Sequence, residues 1–503
     1  MNPDSSTRPR PRPNILLVVS DQERQRDWLP EGLRLPWRER LLAEGLEFTN
    51  HWTHSSPCSP SRATMMTGRY VPQHHVAENI IFPWQPELPA SVPTIGSALR
   101  DAGYRSAYLG KWHLSTSAHP DMAAYGYADW DGNDHHWMGM AGTGVHFDPV
   151  IAESAAHWLT RNAADPDPGP WFLTVALVNP HDVMWYPLDQ PGYQRDHPEQ
   201  LAMVRRFLGT GEWGRGEAVP AYDEPYDELF DRLPANFDDD LHSKPAVQRQ
   251  WRYDQQHSLW GRIDPRDTRA WLRHLDYYAR LHQLADESLG TVLSALEATG
   301  RWDDTVVLFT SDHGDMCGSH GLRSKGPFVY NEIMKVPFYA KVPGLTRPGT
   351  VTGALSSHVD LARTICALAG AAPDPAFRGT DLTPVLADPA ASVREHVLFA
   401  QEAVHTRRIQ QNRYAIRGLF DGRHKYARYY GVGGGLVADQ PTRPTATPML
   451  FGPDAAFDDN DHELYDLRED PHERVNLAHD PARRAELRER FARLREIEQT
   501  EFA

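Results

Sequence analysis

Asn14-Ile15-Leu16-Leu17-Val18-Val19-Ser20 is an uninterrupted apolar run that stops at Asp21-Gln22. A short run of this kind reads as a strand buried on both faces, the habit of parallel sheets covered by helices. Three further runs repeat the pattern. Tyr104 to Leu109 leads into Gly110-Lys111-Trp112-His113, Trp171 to Val178 into Asn179-Pro180-His181, and Val306 to Thr310 into Ser311-Asp312-His313. Helical periodicity fills the intervals, as over Pro93 to Ala102 and Tyr277 to Ala298. Strands alternating with helices predict an α/β fold with a large, mostly parallel sheet flanked by helices. Open α/β sheets bind ligands beyond the carboxyl ends of their strands, and here four such ends carry ionisable or amide side chains, which points to one shared site. Asp21, Gln22, Asp312 and His313 supply two carboxylates, an amide oxygen and an imidazole, a ligand set for one divalent cation.

Composition sets the outer bounds. The 503 residues, 40% hydrophobic and 24% charged, suffice for one large core and a second, smaller domain. A formal charge of −16 argues against a nucleic-acid surface, so an anionic substrate must be drawn by a local cationic pocket. Cys58, Cys317 and Cys366 form no CxxC pair and no disulfide framework, which fits a reducing compartment. The proline-rich start, residues 1–12, reads as a disordered arm with no apolar segment of signal-peptide type, and no run of about 18 apolar residues follows that could span a bilayer. The expected location is cytoplasmic, with no membrane partner. The strand–helix alternation holds from residue 13 to about 385 and defines a catalytic domain. Residues 386–503 read as a smaller α+β domain, with short strands at Glu395 to Phe399, Ala415 to Phe420 and Tyr426 to Tyr430, and a glycine- and proline-rich loop from Gly431 to Gly452. A terminal helix capped by Asp480, with Pro481 at its first position, presents Leu487, Phe491 and Leu494 on one face.

The remaining signal is Cys58-Ser59-Pro60-Ser61-Arg62, continued to Thr67-Gly68-Arg69. This stretch resembles the signature of the type I sulfatases, the formylglycine-dependent branch of the alkaline phosphatase superfamily, and Glu463 to Leu477 is similar to their C-terminal region. The resemblance implies a sulfuric ester hydrolase, arylsulfatase-like, acting on a small-molecule sulfate ester. Cys58 would be converted to formylglycine by a formylglycine-generating enzyme. One hydroxyl of the aldehyde hydrate attacks sulfur, and the other expels sulfate from the covalent intermediate. Arg62, one helical turn on from Cys58, reaches the nucleophile's oxygens. By the same resemblance Lys111 and Lys325 hold sulfate oxygens, His113 takes the proton of the second hydroxyl, and His181 with Lys325 stabilises or protonates the leaving alcohol. Asn79, His74 and His75 are expected to line the pocket.

Family members commonly hold calcium through Asp and Asn side chains. Gln22 and His313 depart from that set and resemble the choline sulfatase and phosphonate monoester hydrolase branches, so calcium is the first choice and manganese the alternative. Two other readings stay open. One is a phosphonate monoester or phosphodiester hydrolase with the same nucleophile, although that group lacks the Lys-x-His pair seen here as Lys111 and His113. The other is a non-catalytic member that binds an anion. Asp131 to Met140 and Gly431 to Gly452 are candidate substrate-selecting loops, and homo-oligomerisation is left open.

Overall fold

The computed structural model describes residues 12–82, 85–115, 122–130, 139–165, 169–209, 219–403, 407–437 and 445–503. Most of the N-terminal arm, residues 131–138 of one candidate loop and residues 438–444 of the other lie outside them. In chain order the strands are β1 (Asn14–Asp21), β2 (Leu46–Phe48), β3 (His51–Trp52), β4 (Arg105–Gly110), β5 (Asp129–Trp130), β6 (Trp171–Pro180), β7 (Thr305–Ser311) and β8 (Phe338–Lys341). They continue as β9 (Thr350–Thr352), β10 (Ser356–Ser357), β11 (Val397–Gln401), β12 (Ala415–Phe420), β13 (His424–Tyr430), β14 (Val432–Val437), β15 (Thr445–Leu450) and β16 (Asp461–Asp466).

The main sheet has the order β5-β4-β6-β1-β7-β8-β2-β9. Every neighbouring pair in it is parallel except those made by β8, which runs against both β7 and β2. The apolar run that opens the chain is its central strand. Ile15, Leu17 and Val19 enter one core and Leu16 and Val18 the other, which is why no polar residue interrupts the run. On the first face lies the helix Cys58–Thr67, hereafter α1, through Ala63, Met65 and Met66. On the second lie α2 (Thr143–Ala163) and α3 (Thr268–Ala298), through Ile151, Ala155, Leu289 and Leu293. The result is a three-layer sandwich whose central strands are covered on both sides.

Helix starts are set by caps. The long helix begins nine residues before the expected Tyr277, because the Asp267 side chain accepts from Ala270 N and closes the end. Thr94 and Ser97 form a capping box, so the helix expected from Pro93 begins at Ile95.

The second sheet, β11-β12-β13-β16, is antiparallel. Its residues alternate between two cores, with Val397, Phe399, Ile416 and Tyr429 on one face and Leu398, Leu419, Tyr426 and Leu464 on the other. The latter face is covered by α4 (Arg484–Glu501) through Leu487, Leu494 and Ile497. Asp480 does cap this end, accepting from Ala482 N, but Pro481–Arg483 form a 3-10 turn before the α-helix begins. The described ends of the expected loop from Gly431 to Gly452 are not loop. β14 and β15 pair as an antiparallel hairpin, since a ladder built from backbone groups tolerates glycine. No helix among the described residues is long and apolar enough to cross a membrane.

Candidate active site

β4, β6, β1 and β7 are consecutive in the sheet, and their carboxyl ends deliver Lys111, His181, Asp21 and Asp312 to one place. Gly110 makes the first delivery possible. Its φ is +93°, a Cβ there would lie 2.1 Å from the Ala176 carbonyl oxygen, and Lys111 N donates to that same oxygen at 2.9 Å. α1 arrives from the other side. All ten of its residues are buried, and it ends at Gly68 in the left-handed conformation, where a Cβ would meet that of Ala362 at 2.8 Å.

Cys58, the first residue of α1, lies at the centre. Its Sγ is 3.3 Å from His313 Nε2, 3.6 Å from Asp21 Oδ1 and 3.7 Å from Lys111 Nζ. Arg62, one turn on, is 1% exposed and makes a three-way clamp. Nε donates to Asp312 Oδ2 at 2.9 Å, Nη2 to Asp21 Oδ2 at 3.0 Å and Nη1 to the Lys111 carbonyl at 2.6 Å. Lys111 Nζ donates to Asp21 Oδ2 at 2.5 Å. Asp312 Oδ1 accepts from Gln22 N at 3.0 Å and His313 N at 2.8 Å, which holds the ends of β1 and β7 together.

A protein-family model described as "Sulfatase" matches residues 13–371, and a second, "N-sulphoglucosamine sulphohydrolase, C-terminal", matches residues 318–434. The chain belongs to the sulfatase family. It is 28% identical over 365 residues to the "Uncharacterized sulfatase YidJ" of Escherichia coli, covering 71% of this chain and 68% of that protein. It is also 28% identical over 397 residues to the choline-sulfatase of Rhizobium meliloti, with the same two coverages. The fold matches a putative sulfatase from Bacteroides thetaiotaomicron with TM-score 0.71 at 22% identity, covering 97% of this chain and 92% of that one. It also matches the phosphonate monoester hydrolase of Silicibacter pomeroyi with TM-score 0.69 at 19% identity, covering 97% and 96%. The protein is therefore a sulfatase, a sulfate ester hydrolase of the alkaline phosphatase superfamily.

The family implies a metal ion, and this sulfatase's residues fit one. Asp21, Cys58, Asp312 and His313 each offer a donor atom, all four are buried, and the atoms lie within 4.8 Å of one another. His313 Nδ1 can only donate to the Gly314 carbonyl, 2.9 Å away, which leaves Nε2 directed at the cluster. Gln22, at a left-handed φ of +68°, has its carbonyl held by Tyr278 OH at 2.5 Å, and its Oε1 accepts from Lys325 Nζ.

Charge compensation governs titration here. Burial alone would raise the Asp21 carboxyl, but Lys111, then His181 and Arg62, hold it well below the usual range. Burial depresses Lys111, but Asp21, Cys58 and Asp312 together raise it further, a net rise. His113 and His181 are pushed well below the ordinary imidazole value, first by burial, then for His113 by Lys111 and Arg62 and for His181 by Lys325 and Lys111. Both are neutral at neutral pH. For His313 burial lowers the value, but Asp312 and Cys58 raise it further, so a proton and a metal ion compete for Nε2.

The other expected residues fall into two groups. His113, at φ +57°, is tied to α1 by Ser59 Oγ, which donates to its carbonyl at 2.6 Å. The amide oxygen of Asn79 accepts from Ser59 N at 3.0 Å, so it holds the start of α1. His74 accepts from Val76 N through Nδ1 and pairs with Thr64 Oγ1 through Nε2, which uses both ring nitrogens to brace α1, and His75 is exposed. Sequence reasoning passed over Ser59, Asp315 and Gln401. Gln401, at the end of β11, donates through Nε2 to Ser56 Oγ at 3.0 Å and the Gly326 carbonyl at 2.5 Å, so the second sheet braces both the Cys58 and Lys325 segments. Ser59 lies inside the Cys58–Arg69 stretch and Asp315 two residues beyond the Asp312-His313 pair, and their polarity beside those residues is the signal that could have found them. Gln401 carries no such signal.

Proposed function

We propose that this sulfatase cleaves a small-molecule sulfate monoester with a formylglycine formed at position 58, and that Asp21, Gln22, Asp312 and His313 hold one divalent ion. The observation that carries the reading is the position of Cys58 at the N-terminus of α1, inside the donor cluster and within 4 Å of both His313 Nε2 and Lys111 Nζ. Held by these residues, the ion would supply Lewis acidity to the reaction. Calcium is the first choice, and manganese the alternative because an imidazole is among the donors.

The hydrate replaces Sγ with two hydroxyls on an aldehyde carbon. One loses its proton to solvent water and attacks sulfur, so an S–O bond forms as the bond to the leaving oxygen breaks with its electron pair on that oxygen. His181, neutral at neutral pH, donates a hydrogen bond to that oxygen, and the Lys325 ammonium beside it gives it the proton with which it leaves as an alcohol. This narrows the expectation that His181 either stabilises or protonates. The second hydroxyl then gives its proton to neutral His113, the carbonyl re-forms, and sulfate leaves with the electron pair of the C–O bond. Arg62 and Lys111 hold charge on the sulfate oxygens.

Mass spectrometry of the tryptic peptide from Leu41 to Arg62 tests the reading. Replacement of CH₂SH by CHO is expected at Cys58, and Cys58→Ala is expected to fold and to lose turnover. An active Cys58→Ala protein refutes the mechanism. An unmodified thiol is followed by co-expression with a formylglycine-generating enzyme, and a thiol that persists refutes it as well. Gln22 and His313, as departures from the commoner ligand set, favour testing phosphonate monoesters and phosphodiesters beside sulfate esters. A higher kcat/KM on the former would transfer the assignment.

A further inference from the structure

Asp315 lies three residues beyond Asp312 and is 1% exposed. It contacts none of the groups assigned above to sulfate. Its Oδ2 accepts from Gln22 Nε2 at 2.5 Å, and its Oδ1 accepts from Cys317 N at 2.7 Å and Ser324 N at 3.3 Å. The first bond fixes the orientation of an amide whose two ends are chemically opposite. A carboxylate can only accept and an ammonium can only donate, so Nε2 must face Asp315 and Oε1 must face Lys325 Nζ. Lys325 Nζ also reaches Met184 Sδ at 3.6 Å, on the turn that begins with His181. The Gln22 backbone cannot compensate for a rotated amide, because its N–H is held by Asp312 and its carbonyl by Tyr278. The bond to Ser324 N, one residue before Lys325, ties the same carboxylate to the loop that delivers the lysine.

We propose that Asp315 is a positioning residue that turns the oxygen of Gln22 toward the metal and sets Lys325 in register with it. The proposal rests on the metal assignment above. A glutamine at a metal site is a ligand by its oxygen alone, and nothing in the amide's shape distinguishes the two orientations. Asp315 and Lys325 select the same orientation from opposite ends of the amide, and through Ser324 N Asp315 links metal affinity and lysine placement to one buried group.

The test is titration calorimetry of chelator-stripped protein with Mn²⁺ and with Ca²⁺. Asp315→Asn keeps an acceptor for Cys317 and Ser324 but sets an N–H against Gln22 Nε2, so the glutamine amide turns over. A loss of about 10–100-fold in metal affinity is expected. Asp315→Glu keeps an acceptor and is expected to stay within a few-fold of wild type. Gln22→Asn, a residue that tolerates φ > 0 but is too short to bridge Asp315 and Lys325, is expected to lose affinity to the same extent. Asp315→Asn should add nothing on that background. Unchanged affinity in Asp315→Asn, or a full further loss in the double variant, overturns the proposal and leaves the metal assignment standing. If Asp315→Asn does not fold, Gln22→Asn carries the test, since it leaves the loop bonds of Asp315 in place, and full affinity in that variant overturns the proposal. A wild-type protein that takes up neither ion overturns the metal assignment and this proposal together.

Discussion

Replacing Arg62 with methionine keeps the length and bulk of the side chain while removing the charge that two buried carboxylates share. In the metal-free protein Asp21 retains Lys111, but Asp312 is left with two backbone N–H groups and the ring of its own neighbour, His313, at 3.9 Å. One uncompensated buried carboxylate costs ~3–5 kcal/mol. With an unfolding entropy of ~2 cal/mol/K per residue, a chain of this size shifts by about 1 °C per kcal/mol, so the midpoint should fall by about 3–5 °C. The sign with pH follows from the same charge count. An unpartnered buried carboxyl has a raised pKa, takes up a proton as pH falls, and then ceases to destabilise, so the gap to wild type should narrow between pH 7 and pH 5. A divalent ion supplies the missing charge, and excess Mn²⁺ or Ca²⁺ should raise the variant's midpoint more than the wild type's. Differential scanning calorimetry in chelator, then with each ion, reads all three effects. A variant that melts with wild type in chelator, or whose deficit widens on acidification, refutes the view that Arg62 is the charge compensator of this cluster.

His113→Ala is expected to slow sulfate release while leaving transfer intact, so that a sulfated Cys58 peptide accumulates during turnover. Loss of turnover with an unsulfated peptide would place His113 at the earlier step. Stability should also fall in mild acid for reasons unrelated to catalysis. Burial pushes His54 and His358 down to about 3 and His282 and His462 down to about 4, while it raises Asp148 to about 7 and Asp189 to about 6. Between pH 6 and pH 5 the unfolded chain charges these four histidines and also His51, His74, His113, His181 and His274, which burial likewise keeps neutral in the fold, while the fold protonates Asp148 and Asp189. The first four histidines and the two carboxyls alone leave a net two protons, so unfolding is favoured by at least ~3 kcal/mol per pH unit. Urea unfolding at pH 7, 6 and 5 checks the slope, and a free energy that holds constant or rises toward pH 5 contradicts it.

The strands were legible because burial on both faces leaves no room for polar residues between Ile15 and Val19, and because each run ends where the site begins. Asp21 and Asp312 were legible for the same reason, as polar groups at the ends of apolar runs, whereas Cys58 and Arg62 were read from the resemblance of their stretch to a sulfatase signature. Helix starts were misplaced because periodicity marks the packed face, whereas Asp267 and the Thr94–Ser97 box mark the end. The hydrogen-bond partners of individual side chains were less legible. The bond from Ser59 N to Asn79 and the pairing of His74 with Thr64 have no sequence signal. Gln401 could not be foreseen, since its partners Ser56 and Gly326 are 345 and 75 positions away and meet it only when the second sheet docks.

The complete enclosure of the Cys58–Thr67 helix has a consequence for timing. Any catalyst that oxidises Cys58 must grip the surrounding segment, and in the native state none of its ten residues is accessible. With Cys58 as the formylglycine precursor proposed above, oxidation at this position would compete with folding. A chain that closed first would keep its thiol, and the specific activity of a preparation would then record the outcome of synthesis.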